Sequence, residues 1–267
     1  MNYFEYTPSP ALAPYVKVYW FLEGRIPANV IAPERIFPDG RMELIIHYGD
    51  AFKQCFGSQR QQQPPGFVYG QLEKYIEIMA APRTGVMGVR FYPAGLAAFT
   101  PLPLATIKQQ AVELHHLFGK ESEQLVEKIC EAPTPDKKIW EMERFLLRRL
   151  RQPAQQRITA AMTAEVYKSK GAVSVQQLAQ SFNVSERQAE RLFAQEVGLS
   201  PKNFCRIIRF QQIFRLAPHA RNLTSLALDA GYFDQAHFTR EFKAITGFSP
   251  REYFQGQYGL TGYFIDD

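Results

Sequence analysis

Two clusters of side chains carry residue types that hydrogen-bond to the edges of base pairs. One holds Ser185, Glu186, Arg187, Gln188, Glu190 and Arg191; the other holds Gln235, Ala236, His237, Thr239 and Arg240. An Arg grips guanine O6 and N7 with two donors, Gln pairs with adenine, Glu accepts from cytosine N4, and Ala or a Thr methyl packs on the thymine methyl. The first cluster is therefore charged and directive. The second is more apolar, with His237 near its rim. Arg191 and Arg240 hold equivalent places, and a structural salt bridge is the alternative role for Arg240. Ser174, Ser185, Ser200 and Lys202 fall at helix starts, where phosphate is bound, although a plain cap explains each serine as well.

Chemistry of other kinds is not signalled. There is no Gly-x-Ser-x-Gly, phosphate loop or His-Glu-x-x-His. Cys55, Cys130 and Cys205 are isolated and odd in number, which points away from a zinc or disulfide framework and toward small buried residues in a reduced compartment. His47, His115, His116 and His219 lack metal-ligand spacing. The expectation is thus no catalytic residue, no metal and no cofactor.

The elements that hold the clusters form an internal repeat. Leu178-Ala179, Arg191, Phe193, Gly198 and Ser200-Pro201 recur as Leu226-Ala227, Arg240, Phe242, Gly247 and Ser249-Pro250. From the Arg onward the offset is constant (240 − 191 = 49), whereas at Leu-Ala it is 48 (226 − 178 = 48). One residue is therefore inserted in the turn at Gly231-Tyr232-Phe233. Each copy reads as helix, turn, helix. Ser174 with Gln177, Ser185 with Gln188 and Ser249 with Glu252 have capping-box spacing. Thr224 opens the second copy and Asp234 caps its second helix. Gly198 and Gly247 are stop signals, each followed by Ser-Pro. Between the copies, Pro201 to Ala217 reads as one helix of roughly 25 Å, a rod that sets two recognition helices against neighbouring grooves. Those grooves lie about 34 Å apart along one duplex face.

At this point a resemblance is visible. Ala227, Gly231-Tyr232, Phe238 to Lys243, Gly247 to Pro250 and Tyr253 resemble the signature of the AraC/XylS transcription regulators, over about the last hundred residues. Phe254 stands where that family often has Arg. The resemblance implies a sequence-specific regulator of promoter DNA, commonly an activator, with a sensing domain placed before the DNA-binding part. Implied partners are double-stranded promoter DNA, a small-molecule effector, RNA polymerase and a second copy of the chain. An enzyme carrying such a module, and a structural DNA-coating protein, are the alternatives.

Length and composition agree with this outline. The chain has 267 residues, a net charge of +5 and 46% hydrophobic residues. No signal peptide or membrane-length apolar run is present, so a cytoplasmic location is expected. The fold class is α+β: a mainly-β N-terminal domain, a small barrel or curled sheet, with trailing helices, then an all-α domain with two helix-turn-helix units. Residues 1–151 are read as an effector-sensing or dimerisation domain, β-rich over 1–105 and helical over 106–151. The linker is placed at 152–156 and the DNA-binding domain at 157–267, with Arg157 to Tyr167 as its first helix, packing Ile158, Ala161 and Val166. Strands are expected over Tyr15 to Leu22, Arg41 to Tyr48, Tyr75 to Met79 and Val86 to Tyr92, and Gln59 to Gly66 as a polar loop. Ile139, Trp140, Met142, Phe145, Leu146 and Leu150 form an apolar stripe, for packing within the chain or against a second subunit. Asp39, Arg41, Glu43, His47 and Arg90, set among aromatic residues, are the candidate effector-binding set.

Overall fold

The structure is a computed structural model, and it describes residues 1–27, 31–151 and 154–256. Its N-terminal part holds ten strands: β1 (Asn2–Tyr6), β2 (Val16–Arg25), β3 (Glu34–Ile36), β4 (Glu43–His47), β5 (Lys53–Phe56), β6 (Gln59–Gln62), β7 (Gly66–Tyr69), β8 (Ile76–Met79), β9 (Arg83–Phe91) and β10 (Ala111–Glu113). They make two antiparallel sheets, ordered β1-β2-β9-β4-β7-β10 and β3-β8-β5-β6. The sheet-rich domain is as expected, and its sheets stay open rather than closing into a barrel.

Period-two alternation decides which side chain goes where. Met42, Leu44 and Ile46 join Tyr19, Phe21 and Phe91 in the main core. Glu43, Ile45 and His47 face the other way, toward the smaller sheet. Val18, Trp20, Leu22 and Val86 meet Phe52 and Ile78 in the layer between the sheets. Gln59–Gln62, read as a loop from sequence, is a strand paired to β5. All four residues are exposed, so no apolar alternation marks it, and the backbone ladder alone defines it.

Helices α1 (Leu114–Phe118), α2 (Glu121–Glu131) and α3 (Pro135–Arg149) cover the outer face of the large sheet. Thr134 caps α3 and Pro135 starts it. Met142, Phe145 and Leu146 are buried as the stripe implied. Trp140 departs from that expectation. It is 52% exposed and its ring carries the Arg144 guanidinium at 4.4 Å. Cys55 and Cys205 are buried, whereas Cys130 is exposed at the end of α2.

The C-terminal part is helical: α4 (Ala154–Lys168), α5 (Val175–Ser181), α6 (Glu186–Glu196), α7 (Pro201–Leu216), α8 (Leu223–Asp229), α9 (Gln235–Thr246) and α10 (Pro250–Gln255). Of the expected linker, Gln152 and Pro153 lie outside the described residues. Ala154 to Gln156 already belong to α4, and Gln156 is buried with its Nε2 donating to Ala94 O. The inward face of α4 is Thr159, Met162, Thr163 and Val166, while Ile158 and Ala161 are exposed. Two small polar threonines hide that face from a hydrophobicity reading.

A close approach in the large sheet gives a direct test. Gly88 in β9 lies opposite Trp20 in β2, and a Cβ at Gly88 would sit 1.9 Å from the indole. Gly88→Ala should lower stability by about 1–3 kcal/mol through overpacking, read by chemical denaturation. An unchanged midpoint would contradict the packing described.

Candidate nucleic-acid interface

Each helix-turn-helix is closed by one left-handed residue. In the first it is Asn183 (φ 52°), and in the second Gly231 (φ 81°). These are the residue types that accept this conformation. Both turns also donate backward in the same way: Val184 N to Ala179 O, and Tyr232 N to Ala227 O. The residue added in the second turn is Phe233, 87% exposed. Ser174 with Gln177 and Ser249 with Glu252 are complete capping boxes. Ser185 caps α6 by accepting from Gln188 N, and Asp234 caps α9 through His237 N. The second unit begins two residues before Thr224: Asn222 is the N-cap of α8, in a capping box with Ser225.

Burial separates the two faces of the second helices. Ala189, Leu192 and Phe193 of α6, and Phe238, Phe242 and Ile245 of α9, are buried. Glu186, Arg187, Glu190 and Arg191 are exposed on α6, and Gln235, Ala236 and Arg240 on α9. Gln188, His237 and Thr239 are half-buried, and Lys202 is exposed at the start of α7. Gln235 accepts from Thr224 Oγ1 at 2.7 Å, which fixes its carbonyl end. The ion pairs of α9 fall to its neighbour Glu241, which meets Arg206 at 3.2 Å and Arg209 at 3.6 Å, both from α7. Arg240 is exposed and is not part of that ion-pair network among the described residues. Sequence spacing did not single out Glu241, because its partners lie on another helix.

The two units share α7. Phe204, Ile207 and Ile208 enter the first unit's core, and Phe210 and Ile213 enter the second's. The second core also receives a residue from the N-terminal part: Phe37, stacked on Phe214 and edge-on to Phe210 and Tyr253. Beside it, the Arg35 guanidinium lies 4.1 Å from the Tyr75 ring centre and 3.8 Å from that of Phe248. Arg35 also donates to Thr246 O, and Tyr75 N to Ile245 O. The C-terminal end of α9 is thus seated on β3 and the approach to β8.

A small cavity of about 80 Å³, open on one side, lies between the two sheets. It brings together four of the five candidate effector residues, Asp39, Arg41, Glu43 and His47. The fifth, Arg90, is buried behind the wall in a 2.8 Å ion pair with Glu43. Phe37 belongs both to this wall and to the core of the second unit. Burial holds the His47 imidazole down to about 4, against a smaller upward pull from Gln63. Among the described residues no group of His, Cys, Asp and Glu is arranged to hold a metal ion, and no helix is long and apolar enough to cross a membrane.

Residues 178–256 match a family described as "Helix-turn-helix domain", and residues 4–113 match "Domain of unknown function (DUF6597)". An uncharacterized HTH-type transcriptional regulator of Haemophilus influenzae is 31% identical over 98 residues, covering 36% of this chain and 33% of that protein. The HTH-type transcriptional activator RhaS of Escherichia fergusonii is 33% identical over 87 residues, covering 32% of this chain and 31% of that protein. The chain thus spans about a third of the length of these curated relatives. Among solved structures, ToxT from Vibrio cholerae aligns over 89% of this chain and 98% of its own, at 8% identity and a TM-score of 0.46.

The buried imidazole sets a pH window. His47 takes up a proton near the ordinary 6.5 when unfolded and near 4 when folded. Between those values the unfolded chain binds a proton that the folded chain refuses. Stability therefore falls as pH drops from 6.5 toward 4, by up to about 1.4 kcal/mol per unit. Denaturation across this range should show a shallower acid loss in His47→Gln than in the unaltered chain. Parallel pH profiles would contradict the assignment.

Proposed function

Because residues 178–256 form a double helix-turn-helix of the AraC/XylS kind, we propose that the chain is a sequence-specific, DNA-binding transcription regulator of promoter DNA. In this reading α6 and α9 enter two adjacent major-groove segments. Arg187, Arg191 and Arg240 read base edges together with Glu186, Glu190, Gln235, Ala236 and Thr239. Ser185, Gln188 and Lys202 hold the backbone, and His237 lies at the rim. The observation that carries the reading is the pairing of two matched turns on one shared helix, each leaving its arginines exposed. The RhaS relatives are activators, which supports activation through RNA polymerase as the outcome.

Residues 1–151 act as the sensing domain, and a small molecule enters the cavity between the sheets. Support comes from the gathering of Asp39, Arg41, Glu43 and His47 there, and from Phe37, whose ring is shared between that wall and the second unit's core. A second copy of the chain docks on α3, where Trp140 and Leu147 are 52% and 43% exposed. The protein works in the cytoplasm, where promoter DNA is. A catalytic role finds no support in the curated relatives, which are regulators.

Titration separates base readers from backbone contacts. Arg187→Ala, Arg191→Ala or Arg240→Ala should each cost about 1–3 kcal/mol of binding at one base position and relax preference there. Lys202→Ala should weaken all sequences alike and reduce the salt slope. Full affinity and unchanged preference in all three arginine variants would sink the reading.

A further inference from the structure

The cavity between the sheets is walled mostly by hydrocarbon, from Leu22, Ile45, Phe52, Ile78 and Val86. One of its carboxylates is paired with a buried guanidinium. Glu43 Oε1 accepts from Arg90 Nε at 2.8 Å and from Trp20 Nε1 at 3.1 Å. Asp39 Oδ1 accepts from the Arg41 backbone N–H. The Arg41 guanidinium lies 5.9 and 5.3 Å from the ring centres of Tyr92 and Tyr167, on the side of the neighbouring cleft. Two carboxylates, Asp39 and Glu43, and two guanidinium groups, Arg41 and Arg90, thus leave this region with no net charge. A charged ligand entering here would lose its hydration without gaining a counter-charge of its own.

Two polar atoms of the lining residues are left over among the described residues, Arg41 Nη1 and His47 Nδ1. His47 is 4% exposed and lines the cavity. Its Nε2 meets Gln63 Oε1 at 3.0 Å. An amide oxygen only accepts, so Nε2 carries the proton and Nδ1 presents a lone pair. Among the described residues Nδ1 is buried with no hydrogen-bond partner. A buried acceptor without a donor is costly, and one donor on a ligand removes that cost.

We infer that this cavity binds a small, neutral, largely apolar molecule carrying one hydrogen-bond donor, a phenol in the simplest case, with that donor bonded to His47 Nδ1. The inference names the effector class for the sensing role proposed above, and it rests on that role.

The chain supplies its own reporter. It has two tryptophans, and Trp20 lines the cavity while Trp140 is exposed on α3. In the full-length Trp140→Phe protein, emission excited at the red edge of the band comes from Trp20 alone. Phenol, anisole, benzoate and benzylamine are titrated at one salt concentration. Phenol should change Trp20 emission saturably and bind about tenfold tighter than anisole, which lacks the donor. Benzoate and benzylammonium should give no saturable change. In His47→Phe, phenol should fall to the level of anisole. The four-probe comparison with His47 intact decides the matter if that variant fails to fold. Benzoate or benzylammonium binding as well as phenol would overturn the ligand class and leave a sensing cavity standing. No saturable change from any probe, with DNA binding intact, would remove the cavity as a sensor as well.

Discussion

The arrangement depends on α7 belonging to two cores at once. Its first half buries Phe204, Ile207 and Ile208 in one helix-turn-helix, and its second half buries Phe210 and Ile213 in the other. Neither unit can rotate about this helix without opening a core, and protein interiors resist such opening. Sixteen residues of α-helix span roughly 24 Å. The Glu241 carboxylate adds a second restraint, because it binds both Arg206 and Arg209 of α7 from the face of α9 turned inward. What is left on the outer faces of α6 and α9 is a paired set of polar side chains.

The N-terminal part is joined to this rigid pair along two seams. Gly198, just after α6, lies so close to Met42 and Leu104 that a Cβ would reach 2.6 Å from the Met42 methyl. At the other seam, Phe37, Arg35 and Tyr75 seat the end of α9. Gly247, the left-handed stop of α9, is crowded there by Arg35 and Tyr75, each at 2.6 Å from a built Cβ. The cavity wall and this second seam share Phe37.

Much of this was legible in the sequence, and the parts that were not have physical reasons. The duplicated caps and stops follow from local backbone chemistry, so Ser174, Ser200, Asp234 and Gly247 could be placed from their neighbours alone. The alternation of Met42, Leu44 and Ile46 with Glu43, Ile45 and His47 already assigned the two faces of β4. The two sheets left open instead of closed, the exposed ring of Trp140, and the strand at Gln59–Gln62 depend on partners distant in sequence. Phe37 reads as a turn residue before Pro38, yet it fills the core of a unit nearly two hundred residues away. Glu241 stayed hidden between Arg240 and Phe242 for the same reason, since its role is defined by α7.

The most direct measurement is a selection of bound duplexes from a random pool, with nonspecific competitor at fixed salt. The account predicts two short conserved blocks separated by about one helical turn, roughly 10 base pairs centre to centre. A single block, or enrichment of no sequence at all, would contradict the claim that α6 and α9 read one duplex together.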